Sequence, residues 1–247
     1  MATNRSSRRT HIGFQKVPEE EKERMVASVF HNVAKHFWKH SFVNTLHPVG
    51  PLKCLDVAGG TGDIAFRITK QLTKTPQGTQ GCGITVCDIN SSMLKVVEEP
   101  ATKVLPQGNS EHLSFDDNSF DVYTIVFGIL NVTHVDRAIQ EAYRVLKPGG
   151  RFMCMKFSQE PNPLIRQLYD AVRKEKELGE LVLFYLIPFL GEKVASDRSS
   201  YQYLVESIRR FPPQEKFKAN LECAGFKCVT YTNFTFGVTS MHSTFKL

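Results

Sequence analysis

Two acids, Asp56 and Asp88, bracket a glycine-rich turn, Ala58-Gly59-Gly60-Thr61-Gly62, which is followed by a third acid, Asp63. Asp56 lies in an apolar run that begins at Cys54. Asp88 ends a second run, Ile84-Thr85-Val86-Cys87. Glycines let a loop backbone approach a ligand that any Cβ would keep away. An acid at the end of the second strand can accept hydrogen bonds from both hydroxyls of a ribose. This is the logic of a dinucleotide fingerprint, but the spelling differs. The glycines fall as Gly59-Gly60-x-Gly62 between carboxylates, which suits a ligand carrying positive charge better than a pyrophosphate. S-adenosyl-L-methionine, with its sulfonium and amino groups, fits that description. Asp56, Gly60, Gly62 and Asp88 are therefore the residues expected to hold it. A glycine turn alone is often only a turn; the acid on the next strand makes this one a site.

The elements that must position these residues follow from the pattern. Residues 52 to 58 read as a strand, 62 to 73 as a helix and 84 to 88 as a second strand. Asn90 or Ser91 can cap a helix from Met93 to Glu99. Phe120 to Phe127 is a buried strand and Val135 to Leu146 a helix. Lys147-Pro148-Gly149-Gly150 reads as a stop and turn that feeds a strand at 151 to 157. Pro18 and three glutamates suit the start of a helix over 18 to 40. A helix at 214 to 224, Gly225 and an alternating stretch from Phe226 to Leu247 finish the chain, the last as an antiparallel hairpin. Alternating strands and helices imply an α/β fold with a parallel sheet wound on both faces. The ligand crevice of such a sheet lies outside the carboxyl ends of its strands.

The bulk numbers narrow the classes. A chain of 247 residues with 41% hydrophobic and 23% charged residues is long enough for one large α/β domain. The formal charge of +6 points to an anionic partner. Most basic residues alternate with acids, however, outside the stretch from Arg5 to Arg9 and the pair Arg209-Arg210. An acidic membrane surface therefore fits better than nucleic acid. The six cysteines show no CxxC pair and no histidines at metal-ligand spacing, so reduced structural thiols in an intracellular compartment are expected. The most apolar run, Leu181 to Leu190, is half the length needed to span a bilayer. Three arginines and no acid in the first ten residues suit a disordered tail or the end of a mitochondrial transit peptide.

Several stretches then match a family in order: DVAGGTGDIAFR (56 to 67), VCDIN (86 to 90), SFDDNSFDVYTIVFGILNVTH (114 to 134), RVLKPGGRF (144 to 152) and SYQYLVESIRRFP (200 to 212). From about Gly13 to Leu247 the chain resembles the ubiquinone/menaquinone C-methyltransferases, most of all their mitochondrial coenzyme Q branch. The resemblance implies a Rossmann-like class I methyltransferase fold, with a mostly parallel seven-stranded sheet and a C-terminal antiparallel hairpin. It implies one methyltransferase domain over 13–247, preceded by a tail over 1–12, with 160–213 a helical insertion covering the acceptor pocket. The implied reaction is transfer of a methyl group from S-adenosyl-L-methionine to a ring carbon of a polyprenyl benzoquinol. Cofactor contacts are implied for Thr61, Asp88, Asn109 and Ser110. The implied setting is the mitochondrial matrix, peripheral on the inner membrane, alongside other quinone-biosynthesis proteins.

Carbon methylation needs the ring carbon made nucleophilic by loss of a neighbouring hydroxyl proton, and the two reactants held in line. The catalytic candidates are Asn131, His134 and Tyr201. His134 can be a base or a solvated histidine at a helix start. Tyr201, with Tyr203, can line the acceptor pocket or pack in a core. Here the chain departs from its family. Leu130 stands where an arginine is usual, Lys156 stands where glutamate is usual and reverses a charge near the expected pocket edge, and the 36–50 segment is shortened. A second reading follows, in which the chain is a weakened homologue that binds S-adenosyl-L-methionine or serves as a structural partner in a quinone-synthesis complex.

Overall fold

The computed structural model describes residues 9–12, 15–18, 51–72, 81–94, 102–104, 108–158, 207–208, 210–234 and 239–247. The expected helix over 18–40, the shortened 36–50 segment, Tyr201, Tyr203 and most of 160–213 lie outside them. The chain divides into two units. In the one formed by Met1–His36 and Glu160–Ser207, β1 (Arg9–Ile12) and β2 (Gln15–Pro18) pair antiparallel.

The other unit, Phe37–Gln159 with Ile208–Leu247, carries the sheet. Its elements are β3 (Lys53–Val57), α1 (Asp63–Leu72), β4 (Gly83–Cys87), α2 (Ser91–Leu94), β5 (Thr102–Val104), β6 (Phe120–Val126), a 3₁₀ turn (Gly128–Asn131), α3 (Val135–Val145), β7 (Leu146–Phe157), α4 (Gln214–Cys223), β8 (Lys227–Phe234) and β9 (Thr239–Phe245). The strand order is β5-β4-β3-β6-β7-β9-β8. The strands from β5 to β7 are parallel, and β9 runs antiparallel to both β7 and β8. The chain winds outward from β3 through β4 to β5, then crosses back over β3 to β6 and winds the other way. This is the switch point that opens a crevice at the carboxyl edge.

Burial on both faces explains the run Cys54-Leu55-Asp56-Val57, every residue of which is buried. In α1 the buried side chains Ile64, Ala65, Ile68 and Leu72 form one stripe at helical spacing, as do Ala138, Ile139, Ala142 and Val145 in α3. Phe152 links strands and helix. It stacks on Tyr123 at 5.4 Å and meets Phe226 at 5.3 Å, which in turn takes Tyr143 of α3 edge-on at 5.0 Å.

Two local expectations change. The helix ends at Val145, but the Lys147 to Gly150 stretch is not a separate turn before the strand: Leu146 already pairs with Phe120, and pairing resumes at Arg151 opposite Val122. The turn residues form a bulge, with Gly149 at φ +80°, and that bulge bonds the last strand through Gly149 N to Lys246 O (2.6 Å) and Lys246 N to Gly150 O (3.0 Å). The helix expected from Met93 begins earlier, at Ser91. Among the described residues no helix is long and apolar enough to cross a membrane. All six cysteines are free. Burial pushes the thiols of Cys54 and Cys154 up to about 12 and that of Cys87 to about 11.

Candidate active site at the carboxyl edge of the sheet

The turn after β3 is shaped for close approach. A Cβ on Gly59 would sit 2.8 Å from both Asp56 Oδ2 and Val86 Cγ1. Gly60 takes φ +55° and donates its amide to Asp88 Oδ2 at 2.8 Å. Asp88 Oδ1 accepts Asn90 N, also at 2.8 Å, and its main-chain oxygen accepts Gly108 N at 2.9 Å. One buried residue at the end of β4 thus ties three loops together. Each carboxylate oxygen holds two lone pairs, so both keep capacity for a ribose hydroxyl.

Asp56 is buried within β3 and its Oδ1 accepts the Thr124 hydroxyl at 2.6 Å. Its Oδ2 is buried and has no hydrogen-bond partner among the described residues. Burial pushes its carboxyl up to about 7; the Thr124 bond opposes this and nearby Asp88 adds to it. A second buried carboxylate beside Asp88 favours a cation nearby, its charge acting through the glycine turn that covers Oδ2. The residues present therefore fit the positively charged methionine end of S-adenosyl-L-methionine.

Asn109 forms a tight polar turn. Its Oδ1 accepts Glu111 N at 2.9 Å and its carbonyl accepts His112 N at 3.0 Å, leaving the side-chain amide as donor. Thr61 and Ser110 are half-buried beside these loops. Sequence reasoning missed Ile89. It is 63% exposed next to the Asp88 carboxylate, and the signal was available: a large apolar residue directly after a strand-end acid.

On the other side of the crevice β6 runs into Phe127, at φ +60°, whose amide bonds Met155 O at 2.7 Å and whose ring stacks on Phe157 at 4.7 Å. The 3₁₀ turn that follows lies against the cofactor loop, because a Cβ on Gly128 would collide with that of Ala58. Leu130 is buried beneath this turn and Asn131 is exposed. His134, exposed at the start of α3, does not cap its own helix. Glu111 does so instead: its Oε1 accepts Thr133 N and His134 N, each at 3.0 Å, and its Oε2 lies 2.7 Å from His134 Nδ1. These bonds hold the Glu111 carboxyl below its ordinary value. Nothing local in the sequence singles out Glu111, because its partners lie more than twenty positions later.

Lys156 is not at the pocket edge. It is fully buried, its Nζ donating to Ser158 Oγ at 2.8 Å and Pro212 O at 3.4 Å, over the Phe211 ring at 4.9 Å. The pleat places 152, 154, 156 and 158 on one face of β7, and Phe217 of α4 packs there. Burial lowers the ammonium to about 8.

The comparisons agree with this geometry. Among solved structures, a SAM-dependent methyltransferase from Thermotoga maritima superposes with a TM-score of 0.58, at 20% identity over 92% of this chain and 95% of that one. An N-methyltransferase from Haemonchus contortus, solved with S-adenosylhomocysteine, superposes at 0.61, at 13% identity over 92% of this chain and 57% of that one. Both have the same fold. Curated relatives named "2-methoxy-6-polyprenyl-1,4-benzoquinol methylase, mitochondrial" are 45% identical in Homo sapiens (96% of this chain, 84% of that one) and 45% identical in Arabidopsis thaliana (98% and 91%). The model of the ubiE/COQ5 methyltransferase family matches residues 3–246. With its carboxylate-lined glycine turn on a class I sheet, the chain is an S-adenosyl-L-methionine-dependent methyltransferase and belongs to the ubiE/COQ5 methyltransferase family.

Proposed function

We propose that the chain methylates a ring carbon of a polyprenyl benzoquinol in ubiquinone biosynthesis. The observation that carries the chemistry is the unpartnered, buried Asp56 Oδ2 facing the glycine turn. The substrate class comes from relatives 45% identical that are named for it. Those names favour an enzyme over a structural homologue.

In this reading Asp88 receives the ribose hydroxyls, the Asn109 amide addresses the adenine edge, and Ile89 gives the adenine an apolar face. Thr61, Gly60, Gly62 and Ser110 complete the cradle, and Asp56 faces the positive charge. When bound, S-adenosyl-L-methionine supplies an electrophilic methyl group on a sulfonium. The chain's own work is to hold the acceptor ring in line with that methyl, keep water out and take up a proton from the quinol hydroxyl. Asn131, exposed on the turn packed against Ala58, is assigned to orient the acceptor. The 160–213 segment, with Tyr201, is assigned to cover the acceptor, within a methyltransferase domain spanning 13–247. A lipid substrate and relatives named mitochondrial support residence in the mitochondrial matrix, peripheral on the inner membrane and among other quinone-biosynthesis proteins.

The test is calorimetric titration with S-adenosyl-L-methionine and S-adenosylhomocysteine, followed by turnover of a short-prenyl demethylated benzoquinol. Micromolar binding and a product heavier by one methyl on carbon are expected. Binding without any product would leave the cofactor site standing and sink the acceptor assignment.

A further inference from the structure

Glu111 uses both carboxylate oxygens on one short segment. Oε1 takes the amides of Thr133 and His134, the second of them the N-cap amide, and so ties the entry of α3 to the loop at 111. Oε2 goes further and meets His134 Nδ1 at 2.7 Å. A carboxylate only accepts, so Nδ1 must carry the hydrogen. In the neutral ring the lone pair is then on Nε2. The histidine side chain is 50% exposed while the glutamate is 16% exposed, so the pair presents the imidazole outward on a fixed base.

The placement matters as much as the contact. Glu111 belongs to the loop whose Gly108 amide is anchored to the Asp88 carbonyl, and its own amide donates to Asn109 Oδ1. His134 ends the segment that carries Asn131 and packs against the cofactor turn through Gly128. The dyad therefore joins the two loops at the carboxyl edge, one anchored to Asp88 and the other packed on the turn after β3. Asp136 and Arg137 follow His134 in the first turn of α3. The neighbouring His112 acts on Glu141 rather than on the dyad.

We infer that Glu111 and His134 form the proton-accepting dyad of the methyl transfer, with His134 Nε2 taking the quinol hydroxyl proton and Glu111 fixing the tautomer. The O–H bond breaks, its electron pair stays on oxygen and enriches the ring carbon, and the proton forms the new Nε2–H bond. The resulting imidazolium sits beside the Glu111 carboxylate and releases its proton to solvent through its exposed edge. In this role His134 is the catalytic residue and Glu111 a positioning residue. The inference rests on the quinol reading above.

The E111Q variant separates this role from capping. Its amide oxygen still accepts the two backbone amides, while its NH₂ faces Nδ1 and forces the hydrogen onto Nε2, leaving no lone pair for the substrate. The wild-type chain, E111Q and H134Q should be compared for S-adenosyl-L-methionine affinity, melting temperature and the pH profile of kcat with the short-prenyl quinol. Expected are unchanged affinity and melting for both variants, and kcat lower by about 100-fold with KM little changed. The loss should shrink as pH rises and the quinol ionises unaided. A kcat within about twofold of wild type for H134Q across the pH range would overturn the dyad while leaving the quinol reading intact. A fall in E111Q melting temperature that matches its loss of rate would reduce Glu111 to a helix cap and also overturn it. An inactive wild type that binds cofactor would instead remove the reading on which the dyad rests.

Discussion

The amide of Gly60 donates to Asp88 Oδ2 at 2.8 Å, joining the turn after β3 to the end of β4 across 28 positions of sequence. Asp88 therefore holds the loop's shape before any ligand arrives. The residue proposed to read the ribose also preorganises the backbone around it.

Replacing Asp88 by asparagine keeps an acceptor for the Gly60 amide, turns an NH₂ toward the Asn90 amide and removes the charge that strengthens bonds to two hydroxyls. Charge-assisted bonds contribute about 1.5–3 kcal/mol each. S-adenosyl-L-methionine affinity should fall roughly 10- to 100-fold with the fold intact, read by calorimetry alongside circular dichroism. Unchanged affinity would place the ribose elsewhere.

Asp56 predicts a pH dependence. Its carboxyl titrates near 7 in the folded chain against an ordinary 3.8, so the ionised form costs stability as pH rises through that window. A cationic ligand favours the ionised form. Cofactor affinity should therefore rise about tenfold from pH 6 to pH 8, with a proton released on binding at pH 6. D56N should abolish this dependence and bind weakly, yet melt higher than wild type at pH 8. Calorimetry in buffers of different ionisation enthalpy measures the released proton directly.

Gly59 is a steric prediction. An alanine there puts its methyl 2.8 Å from Asp56 Oδ2 and Val86 Cγ1, so backbone or side chain must shift. Overpacking of this kind costs about 1–3 kcal/mol. G59A should lower both melting temperature and cofactor affinity. An unaltered affinity would mean that the turn is not the cradle.

Lys156 is a buried cation with no acidic partner among the described residues. Its value is lowered from 10.5 to about 8, so protonation favours the unfolded chain. Wild-type stability should fall as pH drops from about 10.5 to 8, then level off. K156M removes that penalty and should be more stable at neutral pH by on the order of 2 kcal/mol, with the gap closing above pH 10. Equal stability at pH 7 would show that the Ser158 bond and the aromatic faces already offset the burial.

Much of this was legible beforehand, and the exceptions share one cause. The apolar runs at 52 to 58, 84 to 88 and 120 to 127 and the stripes of α1 and α3 are local signals. They located Asp56, Asp88, Asn109 and Asn131 at the carboxyl edge. Lys156 was expected at a pocket rim because its neighbours in sequence are near the edge. Pleat parity and the packing of Phe211 and Phe217 decide otherwise, and both partners come from beyond residue 210. Glu111 carried no signal because its meaning is a hydrogen bond to a loop on the far side of β6. The Lys147 to Gly150 stop was read correctly as a departure from helix. That it would bulge within a strand depended on Phe120 offering Leu146 a partner.

The parallel core ends at Phe157, and the chain returns to the sheet as the β8–β9 hairpin, β9 pairing with β7, after residues 158–213 and α4. Closing a connection costs little more as it lengthens, about 0.6 kcal/mol for each doubling. Selection can therefore lengthen, shorten or rewrite that intervening stretch while the Asp56 and Asp88 loops stay as they are. Such a scaffold separates the evolution of what is methylated from the conservation of what donates the methyl group.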